Sequence, residues 1–376
     1  MRGELIDGEP GMRELWHAWD ALAVARGLPY AAPAWQLGWW DAAAPAGARP
    51  MMLVARDGAA TVGVMALYRV AGRSGLQRLL VMGAAAAQGT GPVMAAGREA
   101  EVAAAFAEAL SGVRGPRPAT LELQGVAQGE HWAGQLCASW PGRARPRVSP
   151  VRRVDAPVLT LAEESFDHWL ARRSANFRQQ MRRARRGLDR RDAVFRRATT
   201  TAEIRAAIPD LLALHRARFA GRGGSEAVDA GTAAILGAAA DGLDGTGRMH
   251  VELIEHEDRT ISAHLFVSAG EEMTYWLGGF DDRYAREHPG MLGLVGAVEH
   301  ALARGRRRLD LGPGVQPYKM RLADGIRRLD WDSVLFPGPR RPVTRLQLAP
   351  RQLARTAVGA RARARARTDP ANRDRA

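Results

Sequence analysis

Lysine and cysteine are nearly absent from this chain. Of its 54 basic side chains only Lys319 is a lysine, so the other 53 are arginines. The single cysteine, Cys137, excludes an intramolecular disulfide and a cysteine-rich metal site, and we expect it to be a small buried residue. The nine histidines and the carboxylates form no ligand pattern, so we expect no metal site.

Long apolar runs are missing as well. No segment approaches the roughly 18 consecutive apolar residues that a membrane-spanning helix needs. The opening residues, MRGELIDGEPGMRELW, lack the basic and then apolar order of a secretory signal. A single cysteine suits a reducing compartment. We therefore expect a cytoplasmic protein without a transmembrane segment.

The net charge of +14 is concentrated in two segments. Residues 172–191 hold nine arginines and one aspartate, whereas residues 340–376 hold eleven arginines and two aspartates. The first segment thus carries +8 and the second +9, which leaves about −3 for the rest of the chain. A near-neutral body argues against a nucleic-acid-binding domain, whose basic residues would cover a folded surface.

The first half, residues 1–150, has the pattern of mixed helices and strands. Apolar residues three and four apart predict helices early in the chain, and two strand-like runs joined through Asp57-Gly58 predict a hairpin. A third strand, a glycine-rich loop, a helix and another strand follow. The segment 141–153, PGRARPRVSPVRR, is rich in proline and arginine and is interpreted as the connection to the second half.

The second half, residues 151–338, repeats a similar order of elements. We predict a long helix that ends at Gly187, a strand, two helices and then three antiparallel strands with turns at Glu257-Asp258 and Gly270-Glu271. A helix with proline before its start, a strand, a short helix and a last strand complete this half. The loose match between the halves suggests a duplication.

The predicted fold class is therefore α/β, with mixed α+β sheets in two tandem domains, because 376 residues exceed the usual single core. The domain boundaries are placed at 1–150 and 151–338. Residues 339–376 contain the low-complexity run GARARARARTD, and we expect them to form a basic, largely disordered tail.

The order of elements in the second half is that of the GNAT acyltransferase fold. Residues 165–335 resemble the BioF2-like acetyltransferase domain of bacterial CelD-type proteins of cellulose biosynthesis, distant relatives of the FemABX aminoacyltransferases. The motifs that carry the resemblance are SANFRQQMRRARRGL, ISAHLFVSAGEEMTYWLGGFDDRY, HPGMLGLVGAVEHALARGRRRLDLGPG and YKMRLADG. The resemblance implies two GNAT-like domains and acetyl-CoA, or another acyl-CoA, as co-substrate.

The stretch FDDRYAREHPGMLG is the candidate site for the pyrophosphate of the acyl-CoA. Its loop offers Arg286, and the helix after it is expected to expose free amides at Gly290, Met291 and Leu292. The positive end of the helix dipole would favour the anion there. The alternative is an ordinary helix that begins at a proline.

The preceding strand, TYWLGGF, is the candidate site for the thioester. In the fold that this half resembles, the strand splays from its neighbour and presents backbone N–H groups to the thioester carbonyl. Gly278 and Gly279 suit a close backbone approach, and Phe280 ends the strand. Alternatively, the glycines merely ease the end of the strand.

Four side chains are candidates for the chemistry of transfer. Asp310 ends an apolar strand, and the resemblance places Tyr318 where GNAT enzymes often protonate the leaving thiolate. Lys319 follows it, and a lone lysine among arginines indicates a site where arginine is too large or cannot lose its proton. A chance survivor is the alternative. His264, in ISAHLF, could accept the proton of an amine, although a single strand histidine is more often structural.

The arginine-rich helix within 172–191 allows three interpretations. It has a solvated face, it binds an anionic acceptor or a lipid surface, or it contacts a tRNA by analogy with FemABX enzymes. Phe177 is its only aromatic residue, which gives little support to base stacking.

We therefore expect direct transfer of an acyl group from acyl-CoA to an amine or hydroxyl of a small-molecule or saccharide acceptor. No covalent enzyme intermediate is expected, since the chain offers no Ser-His-Asp set and no credible cysteine nucleophile. Two alternatives stay open. One is an aminoacyl-tRNA-dependent transferase of the FemABX type, and the other is a non-catalytic GNAT scaffold in polysaccharide export.

Overall fold

The structure is a computed structural model, and it describes residues 1–72, 75–87, 89–113, 118–220, 228–229 and 231–338. The predicted tail, 339–376, lies outside the described residues. The elements of the first half are β1 (Arg2–Asp7), α1 (Glu9–Glu14), α2 (Trp16–Ala25), a 3-10 helix (Pro29–Ala31), α3 (Pro33–Ala43), β2 (Arg49–Asp57), β3 (Ala60–Ala71), β4 (Gln77–Val81), a 3-10 helix (Ala84–Ala86), β5 (Val93–Met94), α4 (Glu99–Ser111), β6 (Pro118–Ala127) and α5 (Trp132–Ala138).

The second half contains the remaining elements. They are β7 (Arg147–Thr160), α6 (Phe166–Ala171), α7 (Ala175–Asp189), β8 (Val194–Ala198), α8 (Thr201–Ala220), α9 (Thr232–Gly242), β9 (Met249–His256), β10 (Arg259–Ala269), β11 (Glu272–Phe280), a 3-10 helix (Asp282–Glu287), α10 (Pro289–Ala303), β12 (Arg308–Asp310), α11 (Pro317–Met320) and β13 (Gly325–Leu335).

The predicted hairpin turns are confirmed. Strands β2 and β3 pair across the turn that contains Gly58, which has φ of 58°. Glu257 and Asp258 both adopt left-handed φ angles, 50° and 56°, between β9 and β10. Gly270, with φ of 53°, joins β10 to β11. Left-handed residues at such turns match the natural twist of the paired strands.

Two sequence predictions about the border of the halves are wrong. The long arginine-rich helix is two helices, because the Ser174 side chain accepts a hydrogen bond from the backbone N–H of Phe177 (3.2 Å) and caps a new helix. Helix α7 also runs past Gly187 to Asp189. The predicted connection 141–153 becomes strand from Arg147 onward, since β7 finds partners on both edges.

The strands form a single mixed sheet with the order β1-β2-β3-β4-β6-β13-β7-β12-β11-β10-β9-β8, and β5 pairs with β3. Read inward from either edge, the two halves follow the same course, with parallel pairs only at β4–β6 and β11–β12. At the centre the halves exchange a strand. β13 pairs with β6, and β7 pairs with β12. The predicted boundary at 150/151 falls inside β7, and the division into two domains stays a prediction.

Helices cover both faces of the sheet. One face of the first half packs against α1–α3 and the other against α4 and α5. In the second half, α8 and α9 lie on one face and α6, α7 and α10 on the other. The halves share a core where Trp35 of α3 packs among residues of α8, α9 and β10. There the Trp276 indole N–H donates to the carbonyl of Ala86 (2.9 Å), so the first half directly supports β11.

The close approach of β1 to α4 yields a stability prediction. A Cβ atom on Gly3 would lie 1.9 Å from the carbonyl oxygen of Ala105, so Gly3→Ala must displace backbone. We expect Gly3→Ala to lower the free energy of unfolding by about 1–3 kcal/mol. Gly134→Ala, in helix α5 with no atom within 4 Å of the added methyl, should raise it by up to about 1 kcal/mol. Urea unfolding curves of the two variants test this, and equal midpoints would contradict it.

Candidate active site

A fork opens in the sheet between β11 and β12. The two strands pair over only three residues, from Glu272 with Arg308 to Thr274 with Asp310. Beyond that point β11 continues to Phe280, while the chain leaves β12. A bulge at Trp276, where Leu265 and Phe266 face Leu277 and Tyr275, bends β11 at the start of the fork. The splayed strand that the resemblance implied is therefore present.

A chain of hydrogen-bonded side chains leads into this fork. The hydroxyls of Tyr318, at the start of α11, and Tyr275, on β11, are hydrogen-bonded to each other. The Tyr275 hydroxyl also lies 3.3 Å from Nδ1 of His264, whose Nε2 lies 3.1 Å from the Ser262 hydroxyl. Two predicted residues, Tyr318 and His264, are thus connected through Tyr275, which sequence reasoning missed.

Burial keeps the His264 imidazole neutral. Its side chain is 4% exposed, and loss of hydration, together with the nearby Arg218 charge, lowers its pKa to about 3. A neutral ring has one N–H donor and one acceptor nitrogen, which suits its two hydroxyl neighbours. His264 therefore holds the Tyr275 hydroxyl in place and does not itself reach the open fork.

The glycines around His264 make room for its ring. A Cβ atom on Gly278 would lie 2.2 Å from its Nδ1, and one on Gly293 would lie 2.5 Å from its Cδ2. A Cβ atom on Gly290 would lie 2.8 Å from the Phe280 ring. These glycines thus have a packing role, whatever contact they make with a substrate.

Gly279 has a different neighbour. An added Cβ atom there would lie 2.5 Å from the backbone nitrogen of His215 in α8. His215 Nδ1 in turn lies 3.0 Å from the carbonyl oxygen of Gly278. The paired glycines therefore allow α8 to approach the end of β11.

The expectation of free amides at Met291 and Leu292 is wrong. Both N–H groups donate to the carbonyl oxygen of His288, at 3.0 and 3.1 Å, because His288 takes the left-handed conformation that caps α10. Their side chains are buried in the core. Among the described residues, only the Gly290 amide of this first turn is left without an intramolecular acceptor.

Asp310 lies at the branch point of the fork and is 1% exposed. Its carboxylate accepts a hydrogen bond from the backbone N–H of Gly312 (2.7 Å) and pairs with the guanidinium of Arg327 on β13. A buried carboxylate needs such partners. Asp310 therefore fixes the turn that follows β12.

Lys319 holds the same turn from the other side. Its ammonium donates to the carbonyl oxygens of Gly312 (3.1 Å) and Pro313 (2.9 Å), and its side chain is 5% exposed. Burial lowers its pKa to about 8, and the charge of Asp310 opposes that shift. The compact ammonium fits between two carbonyls, where the planar fork of arginine is larger.

Arg218, near the end of α8, is a second residue that sequence reasoning missed. Its guanidinium lies over the ring of Phe280, 4.2 Å from the centroid. Its positive charge also lowers the pKa of Tyr318, although burial raises that pKa more. No motif marks Arg218, because it comes from a helix about 60 positions before the strand it contacts.

The loop before α10 lies against the arginine-rich helix α7. The Gln180 amide contacts His288 (2.9 Å), and Arg191 pairs with Glu287 (3.1 Å). Arg286 on this loop is exposed, and the described residues place no carboxylate within 4 Å of it. Arg286, predicted from the sequence as a donor-side cation, is thus exposed and not neutralised by a described carboxylate.

The described segments contain no group of three or more histidine, cysteine, aspartate or glutamate side chains arranged to hold a metal ion. None of the helices in the described segments is long and apolar enough to cross a bilayer.

Comparison with family models gives a match within the second half. Residues 175–320 match the family model described as an acetyltransferase (GNAT) domain. This range runs from the first residue of α7 to the last of α11 and includes the fork, His264 and the Tyr318–Lys319 pair. The search of curated proteins found no match.

Solved structures share the fold over most of the chain. The crystal structure of FemX has a TM-score of 0.65 at 11% identity and covers 92% of this chain and 100% of its own. The C-terminal domain of a putative lysylphosphatidylglycerol synthetase from Agrobacterium fabrum has a TM-score of 0.54 at 11% identity, covering 89% of this chain and 95% of its own. A conserved protein of unknown function from Bacteroides thetaiotaomicron has a TM-score of 0.52 at 10% identity, with coverages of 89% and 99%. The likeness shows a shared mixed α/β fold, and the acetyltransferase (GNAT) domain match lies within it at residues 175–320.

The lowered pKa of Lys319 predicts a pH dependence of stability. Because the folded pKa, about 8, lies below that of an unfolded lysine, only the folded protein loses this proton between about pH 8 and 10. Stability should therefore rise with pH in this window, by about 1–3 kcal/mol relative to Lys319→Met. Lys319→Arg, which stays charged, serves as the control and should show no such rise. Parallel curves for wild type and Lys319→Met in urea unfolding would contradict the assignment.

Proposed function

We propose that the protein is an acyl-CoA-dependent acyltransferase whose second half transfers an acyl group directly to an amine or hydroxyl. The observation that carries the proposal is the β11–β12 fork with the Tyr318 hydroxyl held at its branch. The acceptor is a small molecule or a saccharide of the cell envelope, as the CelD-type resemblance implies.

The donor would occupy the open edge of β11. Beyond Thr274 no described strand pairs with the β12 side of β11, so an extended pantetheine arm would lie along this edge of the strand. The Gly290 amide and the exposed Arg286 would receive the pyrophosphate. The first turn of α10 carries no acidic residue, which leaves the positive end of the helix dipole to an anion.

The first half lacks a comparable site for the pyrophosphate at the start of its corresponding helix, α4. Helix α4, which follows the first-half strands as α10 follows those of the second half, begins with Glu99 and Glu101. Both carboxylates are paired, with Arg26 (3.3 Å) and Arg98 (2.6 Å). Acidic side chains there would repel a pyrophosphate, which supports a donor site in the second half only.

In the proposed reaction the acceptor nitrogen or oxygen attacks the thioester carbonyl, and a tetrahedral intermediate collapses with release of the thiolate. Backbone N–H groups of β11 near the bulge would stabilise the oxyanion. Tyr318 would donate its proton to the thiolate, and its phenolate, stabilised by the Arg218 charge, would take up the proton that the acceptor nitrogen or oxygen loses. Tyr275 and His264 would fix the direction of the Tyr318 hydroxyl, and Lys319 and Asp310 would fix the turn that precedes it.

A second candidate is aminoacyl-tRNA-dependent transfer of the FemABX type. It is favoured by the exposed face of α7 and the residue after it, where Arg182, Arg183, Arg186 and Arg190 form no ion pair with any described residue. Such a row could bind a phosphate backbone or another anionic surface. The helix lies beside the loop that precedes α10, so a polyanion bound there would lie close to the fork.

Two measurements test the proposal. Calorimetry should show acetyl-CoA binding to the wild-type chain, and mass spectrometry should detect acyl transfer to a panel of amines and sugars. Tyr318→Phe should keep acetyl-CoA affinity but lower kcat about a hundredfold, because the thiolate loses its proton donor. Tyr275→Phe should lower kcat by about tenfold through misplacement of that hydroxyl. Tyr68→Phe, in the first half, is the matched control.

Each alternative has its own signature. A salt-sensitive complex with aminoacyl-tRNA, without acetyl-CoA binding, would replace the acyl-CoA donor with the FemABX type. Failure of acetyl-CoA to bind, together with an unchanged melting temperature in added CoA and no tRNA complex, would leave the non-catalytic scaffold. Full activity of Tyr318→Phe would remove Tyr318 from the chemistry.

A further inference from the structure

We propose that a groove in the first half binds an anionic saccharide, a sugar phosphate or a uronate, whose oxyanion lies on Arg49 and Arg69. The groove has a volume of about 1060 Å³ and lies between the β1–β2 edge of the sheet and the C-terminal end of α4. It lies seven strands from β11, or about 30 Å along the sheet at the usual strand spacing. It is therefore separate from the fork and independent of the proposed acyl transfer.

The two arginines face each other with the same charge. Arg49 on β2 and Arg69 on β3 are direct cross-strand partners, so their side chains leave the same face of the sheet. Like charges in directly opposite positions destabilise a sheet. In addition, the Nε atom of Arg69 is buried without a hydrogen-bond acceptor. A buried donor without a partner costs free energy that a bound oxyanion would restore.

Two other arginines of the first-half sheet are neutralised. Arg56, on β2, pairs with Glu4 at 2.6 Å, and Arg78, on β4, pairs with Glu122 at 2.5 Å. Within the described part of the chain, neither Arg49 nor Arg69 has a carboxylate within 4 Å. The first half thus supplies acidic partners to its sheet arginines except where they line the groove.

The other groups that line the groove would determine which uncharged part of the ligand binds there. Asp7 and Glu108 also line the groove, and they accept hydrogen bonds from hydroxyls or an ammonium. The C-terminal end of α4 adds carbonyl oxygens and the negative end of the helix dipole. These groups disfavour a polyanion such as a nucleic acid. They suit a ligand with one oxyanion on a body rich in hydroxyl groups.

The oxyanion itself matches phosphate and carboxylate equally. A guanidinium binds either one through two parallel N–H groups, and two guanidinium groups can bind its oxygens from both sides. Leu5 and Met51 on the floor of the groove offer an apolar surface to the C–H face of a sugar ring. The shared chemistry is therefore a monosaccharide or short oligosaccharide unit with a single anionic group.

Calorimetry on the full-length chain tests the site with glucose 6-phosphate, glucuronate, glucose and inorganic phosphate. We expect one or both anionic sugars to bind, with at least about tenfold lower affinity for glucose and for inorganic phosphate. The sugar that binds more tightly identifies the oxyanion. Arg69→Gln should weaken that binding at least about tenfold, and Arg56→Gln, altered at an arginine paired with Glu4, should bind as wild type does.

A thermal melt without ligand supplies an independent readout. Arg69→Gln should melt at a higher temperature than wild type, because it removes a like-charge pair and a buried donor without a partner. No binding of either anionic sugar at about 10 mM would overturn the proposal, as would equal affinity in Arg69→Gln. Inorganic phosphate that binds as tightly as glucose 6-phosphate would overturn the saccharide assignment. A lower melting temperature for Arg69→Gln would show that Arg69 serves the fold.

Discussion

The pairing of β7 with β13 is the constraint on which the rest of the structure depends. The two strands are in register from Val158 opposite Gly325 to Arg147 opposite Leu335, and each has a further partner on its outer edge. Removing either strand would leave a central strand with an open edge. β12 pairs with β7 on one side and with β11 on the other, in each case over only three residues. The position of β7 in the sheet therefore also sets where the fork begins. The turn after β12 is attached to β7 as well, through the Gly314 N–H and the carbonyl of Asp155 (2.8 Å).

The imidazole of His264 lies at the centre of the buried side of the candidate site and contacts the groups around it. The His264 ring lies so close to Gly278 and Gly293 that a Cβ atom at either position would clash with it. Because the ring stays neutral, it satisfies the Tyr275 hydroxyl without placing a charge in the core. Besides Arg218 over Phe280, charged groups lie at the turn after β12, where Lys319 is bonded to backbone carbonyls and Asp310 to a backbone N–H and to Arg327. Neutral groups thus lie behind the fork and charged groups beside it. This arrangement suits the neutral thioester of the proposed donor.

The sequence predicted the elements that depend on residues adjacent in the chain. It missed those that form only through contact with residues far away in the sequence. Turn residues such as Gly58 and Gly270 located the hairpins, and Tyr318, Lys319, Asp310 and His264 do lie around one fork. The first part of β7, residues 147–153, was interpreted as a connection because Pro150 and several arginines resemble a linker, whereas pairing with two partner strands makes β7 a strand. The edge strand β1 is short, and its pattern gave no prediction. Tyr275 and Arg218 carry no motif, since their role follows from which elements pack together.

The two halves follow the same course in the sheet but differ in the charge at the start of their corresponding helices, α4 and α10. Helix α4 begins with Glu99 and Glu101, whereas the first turn of α10 carries no acidic residue, so of these two corresponding helices α10 has the start better suited to an anionic donor. The first half instead supports that site from beneath. Tyr30 is buried beside Asp310 and Arg327, whose charges act on its pKa, and Trp35 packs edge-on against Trp276 at the bulge (6.0 Å between ring centroids). If the first half does not bind the donor, its surface is available to a different ligand, as proposed for its groove. The groove at its outer edge, where Arg49 and Arg69 face each other with no carboxylate within 4 Å among the described residues, is where we propose that such a ligand binds.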